Sequence, residues 1–230
     1  MKYITLALLL SFSFCFAQKT YEFDTLLEYE CRFNTTKSDT TVTQYLYTNS
    51  KDNSYYISVR DYDSLHYSLN FYAYNKYHSQ VKVIKSKLFK SAEIDILDCE
   101  TIHNSSSKYK FRTKEYDFVN LKDTLVNNTL NKTYKLSYLK SKKKKKRRKI
   151  GTIQYIIKPN TEYHLPVLYH ITAYNEWDKE RNIPNGIFKE YIFYNYNDEI
   201  TNHYKLKEIK HTAVKLNVTK PCPPTMTIQK

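Results

Sequence analysis

Glycine is nearly missing from this chain, which has two in 230 residues, Gly151 and Gly186. Phosphate-cradling loops and the strained nucleophile turns of hydrolases need several glycines, so both are effectively excluded. The His-Glu-x-x-His pattern of zinc peptidases is absent as well. Tryptophan occurs once and methionine twice. Beyond the amino-terminal stretch, no apolar run is long enough to cross a bilayer as a helix. With so little glycine, turns must use Asn and Asp, which tolerate left-handed backbone and bond to it locally.

The amino terminus is informative. Lys2 supplies a positive start, and the run from Ile4 through Leu10, Phe12, Phe14 and Phe16 is apolar. Cys15 and Ala17 place small residues at the −3 and −1 positions before Gln18. That is the grammar of a cleavable export signal, and the run is short for a membrane span. Residues 1–17 are therefore expected to be a signal peptide, leaving 18–230 as an exported domain of 213 residues. Phe14 before Cys15 departs from the small residue that lipidation requires. The expected location is the periplasm, the outer-membrane surface or the medium.

Tyrosine dominates the remainder, with 24 copies. It favours strands and can half-bury its ring while its hydroxyl stays wet. The net charge of +14 is concentrated in one place, because Lys142, Lys143, Lys144, Lys145, Lys146, Arg147, Arg148 and Lys149 are consecutive. Without that block and Lys2, about +5 remains. After cleavage three cysteines would survive, Cys31, Cys99 and Cys222. An odd count in an oxidising compartment allows one intramolecular bridge, with Cys31 and Cys99 the preferred pair, or three reduced thiols.

Period-two alternation runs through most of the chain. Leu27, Tyr29, Cys31 and Phe33 share one side of a strand, as do Tyr45 and Tyr47, then Tyr55, Ile57 and Val59, then Tyr67, Leu69, Phe71 and Ala73. Val81 and Val83, Tyr116 and Phe118, Tyr134 to Tyr138, and Ile153 to Ile157 continue the pattern. Leu165 to Tyr174 reads as a strand and Ala173 to Arg181 as a short helix. Asn185-Gly186 reads as a turn, and the pair Ile187–Tyr196 and Ile200–Ile209 closes the series. The expectation is a mainly β fold: one curled antiparallel meander, a half-open barrel-like sheet, with one or two short helices. The basic run would be a solvated hairpin loop over 140–150, and 219–230 an extended tail.

The strand count and compartment resemble the half-open barrel of periplasmic lipoprotein carriers of the LolA/LolB type. The whole exported stretch also resembles uncharacterised secreted proteins of the Bacteroidetes. That likeness is carried by Phe16-Ala17-Gln18, Leu27-Glu28-Tyr29-Glu30, Tyr47-Thr48-Asn49-Ser50 and His164-Leu165-Pro166-Val167-Leu168. It implies a location outside the cytoplasm rather than a chemistry.

Chemistry-bearing groups are scattered. His164 and His170 could share a strand face, as could His203 and His211, but no third ligand stands at zinc spacing. Glu176, Asp178 and Glu180 around Trp177 fit a solvated helix face, since a glycosidase needs two carboxylates across a bond. The aromatic stripes Tyr45/Tyr47, Tyr67/Phe71 and Tyr191/Phe193 read either as core or as the wall of a groove for an acyl chain. The expected role is thus a non-enzymatic envelope module that binds a hydrophobic or amphipathic ligand on those six residues. The basic run would touch an anionic membrane surface. No cofactor or metal is expected, and export makes nucleic acid a poor partner. The alternative is a hydrolase using His164 or His170.

Overall fold

The computed structural model describes residues 19–34, 39–96, 101–104 and 110–218. The expected signal peptide and the tail 219–230 lie outside the described residues. In chain order the elements begin with β1 (Lys19–Asn34), β2 (Asp39–Thr48), β3 (Tyr55–Asp61), β4 (His66–Ala73), β5 (Tyr77–Ile84) and the single helical turn α1 (Lys85–Leu88). Then come β6 (Glu93–Ile96), β7 (Ile102–Asn104), a 3₁₀ helix (Lys110–Glu115), β8 (Tyr116–Asn120), β9 (Thr124–Val126) and β10 (Thr129–Asn131). The rest is β11 (Thr133–Tyr138), α2 (Lys142–Arg147), β12 (Thr152–Ile157), α3 (Ile171–Glu180), β13 (Phe188–Tyr194) and β14 (Ile200–Val218).

One twelve-stranded sheet dominates: eleven strands run in the order β7-β5-β4-β3-β2-β1-β14-β13-β12-β11-β8, and β6 joins off that path beside β14, while β9 and β10 form a separate hairpin. All pairings are antiparallel except that of β6 with β14. The fold is the curled, open antiparallel sheet expected from the alternation. The topology is not a simple meander, because the first strand pairs with the last: Lys19 lies opposite Val218 and Phe33 opposite Asn202. Alternation shows which residues share a face but not which strand lies beside which.

β1 and β14 form a long central ribbon whose register slips between Phe23 and Thr25 and again between Glu28 and Tyr29. Such bulges bend a strand and sharpen its twist. The bend lets one ribbon serve two cores. Leu27, Tyr29 and Cys31 belong to the larger one, beneath α3, with Tyr155, Trp177, Phe188, Tyr191 and Tyr204. Tyr21 and Phe23 share their alternation yet belong to the second core, with Tyr55, Ile57, Leu69, Phe71 and Ile94. Tyr21 packs on Tyr55 and Phe71 at 4.8 Å between ring centroids. The interior beneath α3 is filled with side chains.

The chain turns without glycine as expected: Asn75, Asn127, Asn128, Asn160 and Asp198 all take positive φ. The two glycines sit where a side chain does not fit. A Cβ on Gly151 would stand 2.5 Å from the Tyr194 carbonyl oxygen, and one on Gly186 (φ +146°) 2.6 Å from Ile157 Cγ2.

The expected strand over 165–174 is not formed. Pro166 cannot donate to a ladder, and the segment is pinned across the sheet bond by bond instead. Leu165 N donates to the Ser50 carbonyl (2.9 Å), Asn53 Nδ2 to that of Pro166 (2.7 Å), and the Tyr74 hydroxyl to that of Leu168. Helix α3 then starts at His170, whose Nδ1 accepts from Thr172 N, and stops at Arg181 in left-handed conformation. The expected helix is therefore present, two residues earlier than its sequence signal.

Candidate functional site

The far edge of β14 pairs with β13 as far as Lys205 and with β6 only from Lys215 onwards. Among the described residues no strand lies beside 206–214 there. The connector from α1 to β6 overhangs this gap, fastened by Lys215 N donating to the Ala92 carbonyl. Beneath it opens a cleft of about 520 Å³. Its apolar walls are Leu26 from β1, Tyr45 and Tyr47 from β2, Phe89 from the connector and Val214 from β14. Lys90, Lys210 and Glu28 supply charge.

Three rings form the rim. Tyr45 meets Phe89 edge-on at 5.0 Å and Tyr67 at 6.2 Å, and Tyr67 meets Phe89 at 5.7 Å. Phe89 is 45 % exposed, unusual for an aromatic already engaged with two others. Burial, and then the nearby Glu28 carboxylate, push the Tyr45 hydroxyl above its ordinary value. The hydrogen bond that Lys210 donates to Glu208 holds its ammonium charged more firmly than usual. The site therefore offers an apolar wall with ionised groups at its mouth, the chemistry of an amphiphile's two ends.

Of the six aromatic residues picked out by sequence, the structure brings four together. Tyr45 and Tyr47 line the cleft, Tyr67 reaches its rim through Phe89, and Phe71 is buried below them in the same core. Tyr191 and Phe193 belong to the other core, beneath α3. Tyr191 is buried, whereas half-buried Phe193 lines a separate hollow of about 300 Å³ with Tyr116, Leu136, Ile153 and His170. Leu26, Phe89, Val214 and Lys210 carried no sequence signal, because an overhanging connector and a gap in a strand edge are tertiary features.

The basic run does cap the β11–β12 hairpin, but as helix α2 rather than as irregular loop. Ser141 caps it, its Oγ accepting from Lys144 N, and lysine has good helix propensity. Lys145 pairs with Asp198, and Arg148 with Glu115 and the Tyr138 hydroxyl. Lys142, Lys143, Lys144, Lys146, Arg147 and Lys149 are exposed and meet no carboxylate among the described residues. Asp198 immediately precedes β14, whereas Lys210 in the cleft lies ten residues along it. At about 3.3 Å per residue these points are some 33 Å apart along the strand. The basic helix is therefore a surface separate from the cleft.

The two histidines expected on one strand face, His164 and His170, have structural partners instead. His164 is 0 % exposed; its Nε2 stands 2.9 Å from Thr48 Oγ1 and its Nδ1 bonds the Leu165 carbonyl. Burial holds it neutral, so Nδ1–H donates and Nε2 accepts. His170 serves as the helix cap. His203 does bond a carboxylate, Glu190 Oε2 at 2.6 Å, but no hydroxyl among the described residues bonds its ring. No set of three metal-ligating side chains comes together among the described residues. Cys31 is buried with Sγ 3.6 Å from Gln44 Oε1; its expected partner Cys99, and Cys222, lie outside the described residues.

The fold is that of an open, curled antiparallel sheet wrapped around a short helix, with a cleft on its other side. No family model and no curated protein matches the sequence. Among solved structures the chain is similar to MucB in its Pseudomonas aeruginosa complex with MucA, at TM-score 0.42 and 6 % identity over 83 % of this chain and 52 % of that one. It thus spans about half the length of MucB. It is also similar to an outer-membrane lipoprotein-sorting protein domain from Vibrio parahaemolyticus, at TM-score 0.32 and 9 % identity over 82 % of this chain and 85 % of that one. A third similar structure is a DUF1329 family protein from Desulfovibrio piger, at TM-score 0.34 and 10 % identity, with the same coverages.

Proposed function

We propose that this chain is a non-enzymatic binding module of the cell envelope that takes an amphipathic ligand into the cleft under the α1–β6 connector. The observation that carries this reading is the half-exposed rim Tyr45, Tyr67 and Phe89 beside an open volume of about 520 Å³. An acyl chain would lie along Leu26, Tyr45, Tyr47, Phe89 and Val214, its headgroup near Lys90 and Lys210. Native mass spectrometry after mild purification should show a bound amphiphile, and a fluorescent fatty acid should be displaced from the cleft. Phe89→Asp, at an exposed position, should leave the fold intact and weaken the fatty acid about tenfold by losing one ring's apolar contact. A purified chain that carries no amphiphile and takes up no probe would exclude the cleft as a ligand site.

Helix α2 would serve as a second, electrostatic contact, with an anionic membrane surface at about 1 kcal/mol per Lys or Arg. Deleting residues 142–149 leaves a five-residue connection between β11 and β12, within the usual hairpin range. The deletion should leave the circular dichroism and urea midpoint unchanged, since exposed ion pairs contribute little. Salt-sensitive co-sedimentation with anionic vesicles should disappear. Unfolding on deletion would mean that α2 is part of the core scaffold, not a surface contact.

A further inference from the structure

We propose that Arg60 anchors an oxyanion-binding site on the face of the sheet opposite the cleft. Arg60 stands on β3 with its side chain half-buried beneath Tyr169, the residue just before the cap of α3. Its Nε donates to Gln44 Oε1 at 2.8 Å, and Nη2 donates to the hydroxyls of Tyr169 and Tyr204, both at 3.3 Å. The Phe33 ring lies under the guanidinium at 5.2 Å. All of these partners are neutral, and no carboxylate among the described residues pairs with Arg60.

A half-buried guanidinium without a counter-ion loses part of its hydration without gaining an opposite charge in return. Here the surroundings hold it in place rather than neutralise it. Gln44 is 0 % exposed and its amide is fully committed: Oε1 to Arg60, Nε2 to Ser58 Oγ (2.8 Å) and to the Tyr169 hydroxyl (2.6 Å). The guanidinium is thus fixed on two of its three nitrogens. Nη1, with two N–H groups, meets no acceptor among the described residues.

One hydroxyl of the two beside it is also unspent. Tyr204 accepts from Arg60 and also bonds the Asn202 side chain, so it is spent on holding the guanidinium. Tyr191 is 2 % exposed, stacks on Tyr204 at 4.3 Å, and has a buried hydroxyl without a partner. A positive fork with an uncommitted nitrogen, beside an orphan phenol donor, offers what a carboxylate or phosphate group requires. Towards solvent the floor continues in polar groups, because Arg60 pairs across the strands with Ser68, and Ser68 with Lys82.

The test is calorimetric titration of the full chain with inorganic phosphate and with dodecyl phosphate below its micellar concentration. The wild type should bind at least one of them. Arg60→Met should lose that binding by about tenfold or more while staying folded, because removing a half-buried, unpaired charge leaves the apolar packing in place. Arg60→Lys, which keeps the charge without the fork, should fall between, and Tyr204→Phe should lose about fivefold. Binding of both probes assigns a free oxyanion site; binding of dodecyl phosphate alone assigns a lipid headgroup site. Phe89→Asp should leave the phosphate response unchanged, so failure of the cleft and failure of this site read differently. No heat with either probe, or equal binding by the wild type and all three variants, would overturn the site.

Discussion

Raised from pH 9 to pH 12, the folded chain should unfold in one steep step, with its buried tyrosines ionising only as it does so. Burial pushes the hydroxyls of Tyr47 and Tyr55 up to about 12. Burial likewise raises those of Tyr21, Tyr29, Tyr56, Tyr74, Tyr155, Tyr191 and Tyr204, reinforced at Tyr21 by its bond to Tyr77. An exposed tyrosine in the unfolded chain ionises near 10. Above that value the unfolded state holds fewer protons than the folded one, so stability falls as pH rises.

For Tyr47 and Tyr55 the contribution is fully present below about pH 10 and lost by about pH 12, at about 1.4 kcal/mol per pH unit each. Together they remove about 5 kcal/mol across that window, comparable with the whole stability of an ordinary domain. The other seven steepen the fall. Absorbance at 295 nm and far-ultraviolet circular dichroism should therefore change together. A smooth phenolate titration near pH 10 with the dichroism intact would mean that these rings are not buried.

The second large effect is expected from Trp177→Ala. Trp177 is 2 % exposed, sits on α3 over Ala173 and Tyr155's core, and has the Arg181 guanidinium 3.7 Å above its ring. Truncating a fully buried indole removes its transfer energy and leaves a cavity, at about 3–5 kcal/mol. Urea unfolding followed by circular dichroism should show the loss, and Trp177→Phe should recover most of it. An unchanged midpoint would mean that α3 is not packed against the sheet.

Much of this architecture was legible in the residues. Strict alternation at Leu27, Tyr29 and Cys31, or at Tyr55, Ile57 and Val59, signals strands, and the structure has them there, although β3 is buried on both sides because Tyr56 and Ser58 face the larger core beneath α3. The Asn and Asp turns followed from the shortage of glycine. What could not be read was the placement of those sides relative to one another. Tyr47 and Tyr191 look alike in sequence, yet they lie in different cores because the register Tyr191–Tyr204–Cys31–Val42 leaves Tyr47 on the opposite face of the sheet. The cleft was half visible, through Tyr45 and Tyr47. Its other wall depends on where β13 stops and β6 begins, which no local pattern encodes. Arg60 gave no signal at all, since an arginine on a strand reads as a solvated residue until its neighbours are known.

The pairing of Lys19 with Val218 has a kinetic consequence. During synthesis β1 cannot complete its seam until residues 200–218 have followed. Contacts so distant along the chain are slow to find one another. Until then the aromatic side of that opening strand stays uncovered, and a holding chaperone would find its most adhesive surface there.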